Sequence, residues 1–215
     1  MTKYPHAIVI LGKEPVQGSV MTRLAKNIGE VKSTQIQTIL AHHIMSKLCT
    51  LPYPVILQLK GNIYGTFANK CRQIGIIIEQ QADGTLTEKI HFASKRAERT
   101  LVLGMDMPLI DNSEIEEAMR DSKLVLGPAE DGGYWIIGGT NLPLYVLTDI
   151  PWSTSSVWKS TVDKCTTLEL EYKVLSRQQD IDTLSDLQTL LSNPKCPVSL
   201  RNDLLHILNT PSLSQ

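Results

Sequence analysis

A few acids and one arginine stand at the ends of short apolar runs, where a sheet could present them to a ligand. Thr100-Leu-Val-Leu-Gly-Met-Asp106-Met-Pro108-Leu-Ile110 is an apolar run that closes on an acid and then a proline. Such a run reads as a buried strand of a parallel sheet, and Pro108 ends it and hands the chain to a helix beginning near Ser113. Asp106 then stands just past the carboxyl end of a central strand, the edge of an open α/β sheet where ligands bind. A carboxylate there can hold a hard cation, which in turn holds phosphates. Capping a turn or the next helix accounts for the residue equally well.

Three other stretches carry comparable groups. Lys13-Glu-Pro-Val-Gln-Gly18-Ser-Val-Met21-Thr22-Arg23-Leu24 follows an early apolar run and brings two cations and a glycine into one loop. Gly18 permits close backbone approach, and Arg23 offers a planar fork of donors for phosphate or carboxylate. The glycine spacing is not that of a Walker loop, and an ordinary polar connection is the simpler account of this stretch alone. In Pro128-Ala-Glu130-Asp131-Gly132-Gly133-Tyr134-Trp135, two glycines between acids and aromatics form a tight backbone that a flat ligand can approach. Asp-Gly is also a strong hairpin signal, and the two readings are compatible. In Asp180-Ile-Asp182-Thr183-Leu-Ser-Asp186, a capping box explains Thr183 and Asp186 but leaves Asp182 unexplained. Trp152, after Pro151, is either core or pocket wall.

Beneath these groups strands and helices are expected to alternate. Strands are expected over 6–12, 54–59, 75–79, the run ending before Asp106, 123–127, the stretch from Tyr134, and 172–175. Helices are expected over 33–48, 63–73, a segment opened by the Thr85/Glu88 capping box, about 113–120, a stretch ending near Thr167, one starting at Thr183, and about 200–208. Strand and helix in alternation, with short connections, predict an α/β fold with a mostly parallel sheet. No repeat or linker divides the 215 residues, so one domain over 1–215 is expected, with 194–215 a helical appendix ending in a frayed tail.

Composition narrows the function classes. A net charge of −1 implies no broad basic surface for nucleic acid or anionic lipid. The four cysteines are scattered without a C-x-x-C pair, which argues against a zinc site or a disulfide framework and fits a reducing cytoplasm. The apolar run near the N-terminus, Ala7 to Leu11, is too short for a signal-peptide core or a membrane span.

Taken together, Gly12-Lys-Glu-Pro…Gly18…Thr22-Arg23-Leu24, Gly104-Met-Asp106-Met-Pro108-Leu, Gly127-Pro-Ala-Glu-Asp131-Gly-Gly-Tyr134, Pro151-Trp-Ser-Thr-Ser155 and Asp180-Ile-Asp182-Thr183…Asp186-Leu187 resemble, in order, the glycosyltransferase-A-like family of radical-SAM and selenodomain-associated transferases, first type. That family is related to 2-phospho-lactate and molybdenum cofactor guanylyltransferases. The resemblance runs from about residue 6 to 190 and implies a Rossmann-like mixed, mostly parallel sheet of the nucleotide-diphospho-sugar transferase type. It implies phosphate or nucleotide contacts from Lys13, Gly18, Thr22, Arg23, Asp83 and Lys89. It also implies Mg²⁺ or Mn²⁺ on Asp106 and Asp182, with Arg23 and Asp106 catalytic. The acceptor or sugar pocket would comprise Asp131, Gly132, Gly133, Tyr134 and Trp152.

The expected activity is metal-dependent transfer from a nucleotide substrate to a small acceptor: nucleotidyl transfer from an NTP, or glycosyl transfer from a nucleotide sugar. A hydroxyl acceptor would call on Asp131 or Glu130 as base. Two departures from the family pattern support an alternative, a nucleotide-binding or regulatory protein with weakened or lost catalysis. Met21 stands where the family has a lysine, and Lys89 where it tends to have an arginine. If Met21 faced the phosphates, a point charge would be lost there.

Overall fold

The computed structural model describes residues 4–121 and 123–211. Seven strands form one sheet in the order β3-β2-β1-β4-β6-β5-β7. They are β1 (Tyr4–Lys13), β2 (Val55–Lys60), β3 (Ile77–Gln80), β4 (Ala97–Leu103), β5 (Leu124–Pro128), β6 (Tyr134–Thr140) and β7 (Tyr172–Val174). β1 pairs in parallel with both β2 and β4, β2 in parallel with β3, and β5 in parallel with β7. Only β6 runs the other way, antiparallel to β4 and β5. The loops after β1, β4, β5 and β7, and the start of β6, therefore all emerge at one edge of the sheet. That shared edge brings together four chain segments that are distant in sequence.

β1 shows why the sheet is covered on both faces. Its alternating side chains send Ile8 and Ile10 into one apolar cluster and Ala7 and Val9 into another. The first cluster includes Ala41, Ile44 and Leu48 of α2 (Glu30–Leu48), Phe67 and Ala68 of α3 (Thr66–Gln73), and Ile115 and Ala118 of α5 (Asn112–Arg120). On the other face lie Ile90 and Ala93 of α4 (Leu86–Ser94), Cys165 of α6 (Val157–Thr167), and Val146 of a 3-10 turn over Leu144–Leu147. A third cluster joins Leu24 of α1 (Thr22–Ile28) and Ile36 and Leu40 of α2 to Leu187 and Leu190 of α7 (Leu184–Ser192) and Leu200 and Leu204 of α8 (Val198–Asn209). The C-terminal helix is thus packed against α2 through buried leucines; the expected frayed tail beyond it, 212–215, lies outside the described residues.

Several element ends differ from expectation. The stretch expected to be loop as far as Leu24 turns helical at Thr22, with Met21 in the left-handed region at its start. Helix α5 is capped by Asp111, whose carboxylate accepts from the Ser113 N–H, so Ser113 lies inside the first turn. The Thr85/Glu88 and Thr183/Asp186 capping boxes both form. Among the described residues, no helix is long and apolar enough to cross a membrane.

Candidate active site

Asp106 is held on a rigid turn three residues past the end of β4. Met105, Met107, Pro108 and Ile110 around it are buried, the Lys47 ammonium donates to the Ile110 carbonyl, and Gly104 donates its N–H to the Trp135 carbonyl at 3.4 Å. The Asp106 carbonyl accepts from the Ile181 N–H at 3.1 Å, which ties the segment after β7 to this turn. Ile181 is buried in the third cluster. In an extended segment its neighbours Asp180 and Asp182 must point the other way, and both line the same cavity as Asp106.

A second link seats Asp131. Residue 129 bridges to residue 178 in parallel fashion, with Glu130 N–H donating to the Gln178 carbonyl and Gln178 N–H to the Pro128 carbonyl. The turn between β5 and β6 is thereby locked beside the chain that carries Asp180. Asp131 accepts from the Gly133 N–H at 2.9 Å and faces the cavity.

The cavity has a volume of about 630 Å³. Its charged lining consists of Asp106, Asp131, Asp180 and Asp182 against a single cation, Arg23, among the described residues. Burial, and then the negative charge of Asp180, push the Asp106 carboxyl up to about 6, with Asp182 and Asp131 adding to the shift. Asp180 is raised in the same sense, by burial and by Asp131. Four acids gathered around one arginine are short of positive charge, and Asp106 and Asp180 carry the consequence.

Arg23 donates to Asp182 at 2.8 Å. With side chains 72% and 38% exposed, this pair is screened and contributes little to stability, so Arg23 can leave Asp182 for a better partner.

The opposite wall is apolar and aromatic: Leu11, Leu86, Ile90, Val102, Ile137, Tyr134, Trp152 and Val157. Trp152 donates its indole N–H to the Thr87 hydroxyl at 2.9 Å, which fixes the ring. Tyr134 meets it edge to face, with centroids 5.7 Å apart at 85°. Gly132 makes this corner possible. Its φ is +89°, its carbonyl accepts from the Trp158 N–H at 2.8 Å, and a Cβ there would sit 2.3 Å from the Ser155 carbonyl oxygen.

Of the residues singled out in the sequence, Arg23, Asp106, Asp131, Gly133, Tyr134, Trp152 and Asp182 line this one cavity, and Gly132 shapes it from behind. Lys13, Gly18, Thr22, Asp83 and Lys89 do not line it. Lys13 donates to the Ser19 carbonyl at 2.6 Å and so braces the first loop, where Gly18 has a φ of +74°. Lys89 lies on α4 between Leu86 and Ile90, which do line the cavity. Met21 does not face the groove; it is buried in the third cluster with Leu24 and Ile181, where an apolar side chain belongs. Sequence reasoning passed over Asp180, although its i, i+2 spacing to Asp182 across a buried isoleucine carried the signal.

Among the described residues, no three His, Cys, Asp or Glu side chains already stand together as a metal cage. The donor set nevertheless suits a hard divalent cation, because Mg²⁺ is usually held by one or two carboxylates with phosphates and water completing the shell. Oxygen-only donors with uncompensated negative charge meet that requirement.

The sheet order, the reversed β6 and the groove at the carboxyl edge define the nucleotide-diphospho-sugar transferase, or glycosyltransferase-A, class of fold. A provisionally named nucleotide-diphospho-sugar transferase from Desulfovibrio desulfuricans G20 superposes with a TM-score of 0.85 at 23% identity, covering 94% of this chain and 95% of its own. The inositol-1-phosphate CTP transferase of T. maritima gives a TM-score of 0.54 at 12% identity, over 98% of this chain and 99% of its own. The 4-diphosphocytidyl-2C-methyl-D-erythritol synthase of Anaerococcus prevotii DSM 20548 gives 0.50 at 12%, over 86% and 96%.

Residues 50–154 match the family described as "Uncharacterized protein conserved in bacteria (DUF2064)". That match covers just under half of the chain, and the likeness to the solved structures is one of fold. No curated protein matches the sequence.

Proposed function

We propose that this protein is a metal-dependent transferase acting on a nucleotide substrate, either an NTP or a nucleotide sugar. The observation that carries the reading is the convergence of four carboxylates from three separate loops on one groove at the carboxyl edge of the sheet, with Arg23 beside them. Asp106 and Asp182 would hold Mg²⁺ or Mn²⁺, with Asp180 alongside. Bound there, the ion would neutralise the phosphate oxygens and the leaving group. Once Asp182 has a different cationic partner, the Arg23 guanidinium is released to grip phosphate with its fork of donors. The first loop, braced by Lys13 and turned at Gly18, offers backbone N–H groups for the rest of the phosphate chain. A hydroxyl acceptor needs a base. Asp131 lines the groove, whereas Glu130 turns towards Arg177 at 3.8 Å, so the proton goes to Asp131.

Incubation of the whole chain with Mg²⁺ and α-labelled NTPs tests this. Label appearing in an acceptor as NMP indicates nucleotidyl transfer; no reaction with any NTP but turnover of a nucleotide sugar indicates glycosyl transfer. A second reading, nucleotide binding without catalysis, is favoured by one observation: among the described residues Arg23 is the single cation in the groove, and it is already paired. Tight Mg²⁺-dependent binding with no turnover of either donor would select it. Absence of nucleotide binding would remove both.

The acids also set a pH dependence. Because the Asp106 carboxyl lies at about 6, a proton competes with a bound cation below that pH. Affinity for Mn²⁺, measured by calorimetric titration, should fall about tenfold between pH 7.5 and pH 5, where only about a tenth of Asp106 remains ionised. A flat profile would remove Asp106 from the ligand set.

A further inference from the structure

Trp152, Ser153, Thr154 and Ser155 form one continuous stretch of the groove lining. Among the described residues, the backbone N–H groups of Ser153, Thr154 and Ser155 have no hydrogen-bond partner, so this wall offers a ligand three free donors beside an aromatic ring. We infer that Thr87, which does not itself line the groove, is a positioning residue: through the Trp152 indole it holds the segment 151–155 where a bound substrate meets it. The inference rests on the transferase reading above, which makes this groove the substrate site.

The bonds within the segment are local. The Trp152 N–H donates to the Ile150 carbonyl at 2.8 Å, the Thr154 hydroxyl to the Pro151 carbonyl at 2.7 Å, and the Ser156 N–H to the Thr154 hydroxyl at 3.4 Å. Ser153 turns the chain with a φ of +64°. Such turns set the shape of the segment but not its place in the molecule. Among the described residues, one hydrogen bond joins 151–155 to a part of the chain distant in sequence, from the Trp152 indole N–H to the Thr87 hydroxyl at 2.9 Å. The far end runs into α6, where the Trp158 N–H is bound to the Gly132 carbonyl. The Trp152 end depends on Thr87 and on apolar contacts, which carry no direction.

The hydroxyl is well suited to this task. It has one proton and two lone pairs, whereas an indole can only donate. Its proton goes to the Leu147 carbonyl at 2.8 Å, which leaves a lone pair for the indole. Both supports are firm, because Thr87 lies in the first turn of α4 behind a closed capping box, and Leu147 is buried in the second cluster. Thr87 therefore ties the wall to two elements already fixed on the sheet.

Two substitutions separate this role from packing. Thr87→Val removes the hydroxyl at nearly constant shape, and Thr87→Ser keeps it. Backbone ¹⁵N relaxation of the whole, ligand-free chain reads the wall directly. Order parameters of Ser153, Thr154 and Ser155 should be about 0.8 in the unaltered protein and in Thr87→Ser, and should fall below about 0.6 in Thr87→Val. The Trp152 indole proton should exchange with solvent at least tenfold faster in Thr87→Val. With whichever donor reacts in the assay above, kcat/KM should drop at least fivefold in Thr87→Val and return to within twofold in Thr87→Ser. Trp152→Phe, which removes the donor on the other side of the bond, should loosen Ser153 to Ser155 in the same way and decides the matter if Thr87→Val does not fold. An equally ordered wall in the variants that lack the bond, or a loosened wall with unchanged kcat/KM, overturns the inference. If the unaltered protein binds no nucleotide with Mg²⁺ while Thr87→Val still loosens the wall, the transferase reading falls and the anchoring by Thr87 stands.

Discussion

Asp106→Asn should abolish Mg²⁺-dependent nucleotide binding and, in the same molecule, make the metal-free protein more stable at neutral pH. Both effects come from one cause. Asp106 ionises at about 6 because it is half-buried and faces three other acids, so at pH 7 the folded chain carries a carboxylate that costs more to ionise than it does in the unfolded chain. The sign follows from linkage. The folded state holds the proton more tightly than the unfolded chain, so this group's penalty is complete above pH 6 and fades as pH falls towards 4. A shift of this size corresponds to about 2–3 kcal/mol, which asparagine removes without altering the shape of the side chain.

The variant should therefore melt about 4–12 °C above the unaltered protein in EDTA at pH 7.5, and the gap should close near pH 4. Using the difference between the two proteins cancels the opposing contributions of His42 and His43, whose burial lowers their pKa. Thermal melts at the two pH values and a nucleotide titration with Mg²⁺ check the prediction. Undiminished nucleotide binding in the variant would break the metal assignment, and an unchanged melting temperature would mean that the acids do not repel.

The second large effect is expected at Gly132. Alanine there must adopt a φ of +89° and place its Cβ 2.3 Å from the Ser155 carbonyl oxygen and 2.7 Å from the Ser155 Cα. Both neighbours are backbone, so the segment 153–156 has to move. Left-handed strain and overpacking together should cost about 2–4 kcal/mol, a fall of roughly 4–15 °C in melting temperature. Gly133→Ala serves as the contrast, because its Cβ would meet only the Asp131 carboxylate, at 3.1 Å. Displacing the wall that carries Ser153, Thr154 and Ser155 by about 1 Å should lower turnover roughly 10²-fold in whatever fraction still folds. Equal stability of the two variants would show that the tight corner is not required.

How far the chain itself announced this site can be followed residue by residue. Asp182 was legible because it sits beside a capping box that does not use it; Asp106 stood out by ending an apolar run, although a cap would have explained it there equally well. The capping boxes at Thr85 and Thr183 were legible because their pattern is local and self-contained. Asp180 was not weighed, although it shares a face with Asp182. The pairing of Arg23 with Asp182 spans 159 positions and depends on how α1 and α7 pack, which no local pattern encodes. Met21 misled for the same reason. Read against a loop it is a missing charge, but the helix that starts at Thr22 turns it into the third cluster. The parallel sheet was legible from alternating apolar runs, whereas the reversal of β6 was signalled only by the Asp-Gly hairpin pattern.

The pairing of Ile181 with the Asp106 carbonyl, and of Gln178 with residues 128 and 130, has a consequence for the order of assembly. During synthesis the strands from β1 to β6 are all made before the segment that supplies Asp180 and Asp182. A nascent chain can therefore build most of its sheet while possessing only half of its acids, and cation capture must wait for these late, long-range contacts. Maturation of the binding groove should lag behind collapse of the core.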